Sequence, residues 1–218
     1  MEQNKNKITA ECEYEERSEC TQHAIVSIDV GIKNLGWTVF ASPNTFKDGE
    51  IVTKIDELHV NFGVHGIDSQ ANANNSIVIE RCKHVKKFFQ HIANSFKIDY
   101  VIIERQVNAN ERAMELMYAI TTAAQCYTDE FEDVIIFDPK LKFNLLKIPY
   151  DTKNKAHKRL SIEICRSVLQ AITEDKVEDF DKFPKKDDVA DSFNQAFEWM
   201  CHKKMINYTL NDIKKLLH

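Results

Sequence analysis

Three short runs of β-branched and apolar residues constrain the fold of this 218-residue chain more than any other feature. They are IVSIDV at 25–30, YVIIE at 100–104 and VIIF at 134–137. The later runs are separated by stretches whose apolar residues recur every three or four positions, a spacing typical of helices. Strands joined by helical crossovers favour parallel pairing. The sequence therefore predicts an α/β protein in which helices cover a sheet.

The region before the first predicted helix favours an antiparallel meander. We expect strands at 24–30 and 36–40, joined by a tight turn, and a third strand at 51–58. Residues 59–75 are rich in Gly, Asn, Ser and Asp, a composition typical of a surface loop. With the two later strands added in parallel, the expected architecture is a mixed five-stranded sheet flanked by helices.

The rest of the chain is expected to alternate helices and strands. Predicted helices span about 78–96, 112–127, 157–172 and 188–204, and the strands between them end at Glu104 and before Pro139. Residues 1–22 are acidic and poor in apolar residues, which predicts a mobile tail. The folded domain is therefore expected to span 23–218.

Composition argues against several classes of protein. Charged residues make up 29% of the chain and no long apolar run is present, so no membrane-spanning helix is expected. The opening segment is too polar for a secretory signal, which favours an intracellular protein. Six cysteines occur without a CxxC pair and eight histidines do not cluster, so neither a disulfide framework nor a zinc site is predicted.

Two carboxylates stand near strand ends, where a buried strand would otherwise favour an apolar residue. Asp29 shares a strand face with Ile25 and Ser27, and no counter-charge is evident in its neighbouring sequence. Glu104 ends a run of core-forming residues, the position at which open α/β sheets usually carry their sites. Each acid also has a structural alternative, because Asp29 can cap the following turn and Glu104 can pair with Arg105 or a lysine.

A third acidic segment, KKDDVADSFNQAFEWM, begins the last predicted helix. Asp188 and Asp191 lie three residues apart and share one helix face, whereas Asp187 is expected to cap the helix. An acidic first turn is also common for capping alone. Four half-buried carboxylates from three segments would repel one another unless a cation lay between them. Oxygen ligands favour Mg²⁺ or Mn²⁺, and two such ions can activate water against a phosphodiester.

Basic residues collect beside these acids although the formal net charge is −5. Seven lysines and arginines lie between 140 and 159 against one acid, Asp151, and three more lysines precede Asp188. Such a strip suits a phosphate backbone, while its structural alternative is a solvated lysine-rich loop. The expected nucleic-acid contacts are Lys153, Lys155, Arg159, Lys185 and Lys186.

The segments IVSIDVGIKN, VIIERQ and KKDDVADSFNQA resemble, in this order, the acidic motifs of RuvC-type Holliday junction resolvases of the RNase H-like superfamily, most closely those of poxviruses. The resemblance implies an RNase H-like fold and a homodimer that nicks two opposing strands of a four-way DNA junction in the host cytoplasm. It also implies that two Mg²⁺ ions, with Mn²⁺ as a substitute, are bound by Asp29, Glu104, Asp188 and Asp191. A lysine assists catalysis in this family, and its distance ahead of Asp188 indicates Lys158, with Lys155 as the alternative.

Three other functions fit parts of this pattern. DVGIKNLGW also resembles the phosphate-binding hairpin of actin-like and sugar-kinase ATPases, but 218 residues with five glycines lack the second domain and second phosphate loop of those enzymes. A non-catalytic module that binds branched nucleic acid is the non-enzymatic alternative. A ribonuclease or flap nuclease on the same scaffold is the alternative within the nuclease class.

Overall fold

The structure, a computed structural model, describes residues 22–47, 53–67, 76–107, 110–142, 144 and 155–207. Its strands are β1 (His23–Val30), β2 (Asn34–Ser42), β3 (His59–Gly66), β4 (Lys97–Glu104) and β5 (Val134–Phe137). They form one sheet in the order β3-β2-β1-β4-β5. The first three strands are an antiparallel meander, whereas β4 runs parallel to β1 and β5 runs parallel to β4. The predicted mixed five-stranded sheet is confirmed.

Helices cover both faces of this sheet. They are α1 (Ser76–Ser95), α2 (Glu111–Gln125), α3 (Lys155–Ile172), α4 (Glu174–Lys182) and α5 (Lys186–His202). The helices α1 and α2 pack on one face, and α3, α4 and α5 pack on the other. Val26 and Ile28 of β1 pack in the core beneath α1 and α2, whereas Ile25 packs in the core beneath α3, α4 and α5. This is the alternation of faces expected along a strand. Asp29 therefore lies on the face that α5 covers.

The third strand differs from the prediction. β3 occupies 59–66, which the sequence predicted as loop, while residues 55–57 of the predicted strand form a short 3-10 turn. β3 pairs with β2 along its whole length. Glycine at position 63 leaves room for the Trp37 ring, since an added Cβ would lie 2.9 Å from it and the ring would have to move. Gly63, which suggested a loop, is thus a packing position beneath an aromatic side chain.

The C-terminal helices also differ from the prediction. The sequence did not predict α4, whose segment EDKVEDFDK is mostly charged and has Phe180 as its buried residue. Its amphipathic signal therefore depends on two apolar positions, Phe180 and the partly buried Val177. α5 begins earlier than expected, with Lys185 in the N-cap position. The prediction that Asp187 caps this helix is wrong, because Asp187 lies within the first helical turn.

Several predictions fall on segments that the structure does not describe. The predicted tail lies outside the described residues up to position 21, as do residues 51–52 of the predicted third strand and 68–75 of the predicted loop. Among the described residues, no helix has both the length and the apolar character needed to cross a membrane.

Buried hydrogen bonds fix α5 across the sheet. The side-chain nitrogen of Gln195 lies 3.2 Å from the Ser27 hydroxyl, 3.4 Å from the Ile28 carbonyl oxygen and 3.2 Å from the Ile102 carbonyl oxygen. A buried amide left without such acceptors would be costly, so the contacts favour one position of the helix. α5 is therefore held against β1 and β4, the two strands that carry predicted site residues.

Candidate active site

Three of the predicted acids converge at one end of the sheet. Asp29 and Glu104 lie on neighbouring parallel strands, whose ladder pairs Ile28 with Ile103. Their carboxyl groups lie close enough for each to perturb the pKa of the other. Asp191 reaches the same place from the first half of α5. Residues distant in sequence meet here because parallel neighbours end at the same edge of a sheet.

Lys142, which the sequence did not single out, lies at the centre of this acidic group. Its Nζ is 3.0 Å from Glu104 Oε1, 3.7 Å from Asp191 Oδ2 and 3.9 Å from Asp29 Oδ1. The side chain is 0% exposed. The ion pair considered as the alternative role of Glu104 is therefore present, with Lys142 as the partner. The only sequence signal for this lysine was its place in a basic stretch, since lysine is rarely buried.

Burial and mutual repulsion perturb the two strand carboxyl groups. Burial raises the pKa of Asp29 well above its ordinary value, and the charge of Glu104 raises it further. Burial also acts to raise the pKa of Glu104, but the Lys142 ammonium and several hydrogen bonds hold it below its ordinary value. One of those bonds comes from Gln106 Nε2, which donates to Glu104 Oε2 at 3.0 Å. The single ammonium therefore leaves negative charge in the cluster uncompensated.

Two buried polar residues orient Asp191, and neither was predicted from the sequence. The Ser161 hydroxyl of α3 donates to Asp191 Oδ1 at 2.7 Å. Asn194 Nδ2 in turn donates to Ser161 Oγ and to the Ser161 carbonyl oxygen, both at 2.9 Å. A signal for Asn194 was available, because it follows Asp191 by three residues and so shares its helix face. Ser161 has no comparable local signal.

Asp188, in the first turn of α5, is positioned by the close approach of this helix to β2. An added Cβ on Gly36 would lie 2.2 Å from the Asp188 carbonyl oxygen. Gly36 pairs with Asp29 in the ladder between β1 and β2, so the backbone of Asp188 lies beside the strand pair that includes Asp29. Lys185 Nζ lies 3.4 Å from Asp188 Oδ2. Burial raises the pKa of Asp188, and the charge of Asp187 adds to this increase.

Lys158, the predicted catalytic lysine, contacts an acid outside this group. Its Nζ lies 2.6 Å from Asp187 Oδ2, and that hydrogen bond is the main reason why the pKa of Lys158 is raised. The side chain is 60% exposed. The contribution of Lys158 to catalysis stays a prediction.

Four of the five residues predicted to contact nucleic acid lie on the helices that carry the site or at their ends. Arg159 and Lys185 are exposed, and Lys186 is half-buried. Lys155 is the first residue of α3. Lys153 lies outside the described residues. Their contacts with DNA stay a prediction.

The donor set suits a hard divalent cation. Carboxylate oxygens are the ligands that Mg²⁺ and Mn²⁺ favour, and the three converging acids already stabilise a positive charge, the Lys142 ammonium. Across the described part of the chain, no three His, Cys, Asp or Glu side chains are arranged to hold a metal ion. In this arrangement the acids surround the Lys142 ammonium.

Known proteins share this architecture. The model of the family described as Poxvirus A22 protein matches residues 23–203. Thermus thermophilus RuvC in complex with a Holliday junction substrate is 16% identical, with a TM-score of 0.55 over 84% of this chain and 95% of that chain. Fowlpox virus resolvase with Holliday junction DNA is 19% identical, with a TM-score of 0.51 over 82% and 97%.

A third solved structure, the yeast mitochondrial Holliday junction resolvase Ydc2, is 17% identical, with a TM-score of 0.56 over 88% of this chain and 85% of that chain. No curated protein sequence matches the chain significantly. The structural likenesses confirm the RNase H-like fold that the acidic motifs implied.

Proposed function

Since the chain belongs to the Poxvirus A22 protein family, we propose the following function for it. It acts as a metal-dependent endodeoxyribonuclease that resolves four-way DNA junctions. The observation that carries this proposal is the convergence of Asp29, Glu104 and Asp191 at one edge of an RNase H-like sheet. The family makes it a viral-type protein, and we propose the host cytoplasm as its place of action.

The proposed metal ligands are Asp29, Glu104, Asp188 and Asp191, which would hold two Mg²⁺ ions with Mn²⁺ as a substitute. Bound there, the ions would activate a water molecule and stabilise the leaving oxygen of a phosphodiester. The chain itself supplies orientation. β1 and β4 fix the two strand acids side by side, and the buried pair Ser161 and Asn194 fixes the carboxylate of Asp191.

The DNA backbone is proposed to bind the basic residues near this site. The chain carries a formal net charge of −5, so attraction to DNA has to come from a local surface rather than from the whole protein. The proposed contacts are Lys153, Lys155, Arg159, Lys185 and Lys186. Affinity for junction DNA should therefore fall steeply as salt concentration rises.

A comparison of substrates tests this function. The purified protein is incubated with a mobile four-way junction, a linear duplex of matched sequence and an RNA–DNA hybrid, each with Mg²⁺, with Mn²⁺ and with EDTA. Paired, symmetric nicks in the junction alone, and only with a divalent metal, are the expected result. Cleavage of the hybrid would assign a ribonuclease on the same fold. Junction binding without cleavage in either metal, Mg²⁺ or Mn²⁺, would assign a non-catalytic module.

We propose that two copies of the chain act together, because nicking two opposing strands of a symmetric junction requires two sites related by symmetry. The mass of one copy is 25.3 kDa. Light scattering of the purified protein is expected to give twice this mass. A monomer mass both alone and on junction DNA contradicts the dimer.

Lys158→Ala is expected to slow junction cleavage by about a hundredfold while weakening junction binding much less, because an ammonium beside the reacting phosphate stabilises developing charge. Single-turnover cleavage rates and fluorescence anisotropy measure the two quantities. Asp187→Asn is the matched control, since it removes the partner of Lys158 but keeps the ammonium. Equal losses of rate and affinity in the alanine variant would make Lys158 a phosphate contact instead.

A further inference from the structure

The burial of Lys142 is the most unusual feature of the site. Removing a lysine ammonium from water is costly unless carboxylates compensate its charge. Here the Nζ lies within 3.9 Å of carboxylate oxygens from Asp29, Glu104 and Asp191. These are three of the four acids proposed to bind metal. Lys142 thus lies where the positive charge of the metal is needed.

We propose that Lys142 is a displaceable substitute for the metal: its ammonium occupies the cation site of the metal-free protein and has to leave before a divalent ion binds. This inference rests on the proposed metal site. Lys142 is then a residue that sets metal affinity, without being a metal ligand or a reacting group.

Both the available space and the electrostatic repulsion prevent the Lys142 ammonium and a divalent ion from occupying the site together. Mg²⁺ needs its oxygen ligands at about 2.1 Å in near-octahedral geometry. Lys142 uses one of those oxygens, Glu104 Oε1, at 3.0 Å and lies close to two more. An ammonium that stayed there would repel a divalent ion strongly, because the surroundings are partly dry.

The geometry of the segment allows Lys142 to leave without unfolding the protein. The residue follows the short 3-10 turn Pro139–Leu141, in which the Asp138 side chain caps the backbone nitrogen of Lys140. A lysine carries its charge on a flexible four-carbon stem. A change of side-chain rotamer can therefore move the ammonium away from the acids while the turn keeps its backbone bonds.

The first test follows Lys142 in the wild-type protein. Lysines are acetylated briefly without metal, with Mg²⁺ and with Mn²⁺, and the modification of each lysine is quantified by mass spectrometry. Lys142 should be protected in the metal-free protein and should react severalfold faster at saturating metal. Lys140 is exposed in the same segment and should react at an unchanged rate. Protection of Lys142 that persists at saturating metal overturns the proposal.

The second test removes the charge. Lys142→Met keeps a long apolar side chain but has no ammonium to displace. Calorimetric titration is expected to show Mn²⁺ binding tighter by about tenfold or more, which is about 1.4 kcal/mol. Lys140→Met is the matched control and should bind Mn²⁺ as the wild type does. Equal or weaker binding by the folded Met variant overturns the proposal.

The two tests also separate this inference from the proposed function. If wild-type protein binds Mn²⁺ and cleaves junctions while Lys142 stays protected, only the role of Lys142 fails. If neither the wild type nor Lys142→Met binds Mn²⁺, the metal site fails and both proposals fall. If the Met variant folds only with metal present, the acetylation of the wild-type protein decides.

Discussion

Asp29→Asn is expected to lower the rate of junction cleavage by about a thousandfold or more. Mutating even a residue that only hydrogen-bonds to a metal ligand typically lowers metal affinity or activity by about 10–100-fold. Junction affinity should change little, because Asp29 is half-buried among other acids and is not part of the basic surface. Single-turnover cleavage with Mg²⁺ measures the first quantity, and anisotropy in EDTA measures the second.

Asp188→Asn is expected to have the same effect as Asp29→Asn, because both are proposed ligands of the same ions. Asp56→Asn provides the control, since Asp56 is an exposed acid in the 3-10 turn at 55–57. That variant should cleave like the wild type. Normal cleavage by Asp29→Asn would remove the basis of the metal assignment.

The substitution Asp29→Asn should also raise the stability of the metal-free protein at neutral pH. Because the pKa of Asp29 is raised in the folded state, the stability that its protonated form supports is complete below its ordinary value of 3.8 and is lost as pH rises through the folded-state pKa. The asparagine amide of the variant cannot ionise, so this loss disappears. Urea unfolding in EDTA at pH 5 and pH 8 should show the larger gain at pH 8.

The convergence of Asp29 and Glu104 is predictable from the sequence because it depends on local patterns and one rule of topology. Each acid interrupts or ends a run of β-branched residues, and parallel neighbouring strands place such positions at one edge of the sheet. Asp191 follows from helical spacing on an apolar helix that has to pack against that sheet. These patterns fix where the acids lie, and leave their chemical role to experiment.

Lys142 is not predictable in this way, because its burial depends on partners from β1, β4 and α5 that are remote in sequence. The local pattern of residues 140–159 describes only a basic, solvated surface. The same limit explains β3. Gly63 suggests a loop when only its local sequence is considered, and its role in a strand depends on the Trp37 ring of the neighbouring strand.

Gly36→Ala is expected to have a large effect as well, although glycine itself contributes no chemistry. The added Cβ would lie 2.2 Å from the Asp188 carbonyl oxygen and 2.7 Å from the Asp188 carbonyl carbon. Both are backbone atoms, so a side-chain rotation cannot relieve the contact and the first turn of α5 has to move. Overpacking of this kind typically lowers the free energy of unfolding by about 1–3 kcal/mol.

Cleavage by Gly36→Ala should fall by about a hundredfold even where the protein remains folded, because a displacement of about 1 Å at a catalytic group costs that much. Gly66→Ala is the matched control in the adjoining strand, where an added Cβ meets nothing within 4 Å. Thermal unfolding and single-turnover cleavage of both variants separate loss of fold from loss of geometry. A folded Gly36→Ala protein with wild-type cleavage would mean that the start of α5, and Asp188 with it, can shift without harm to the site. Asp188 would then not be a ligand held in a fixed position.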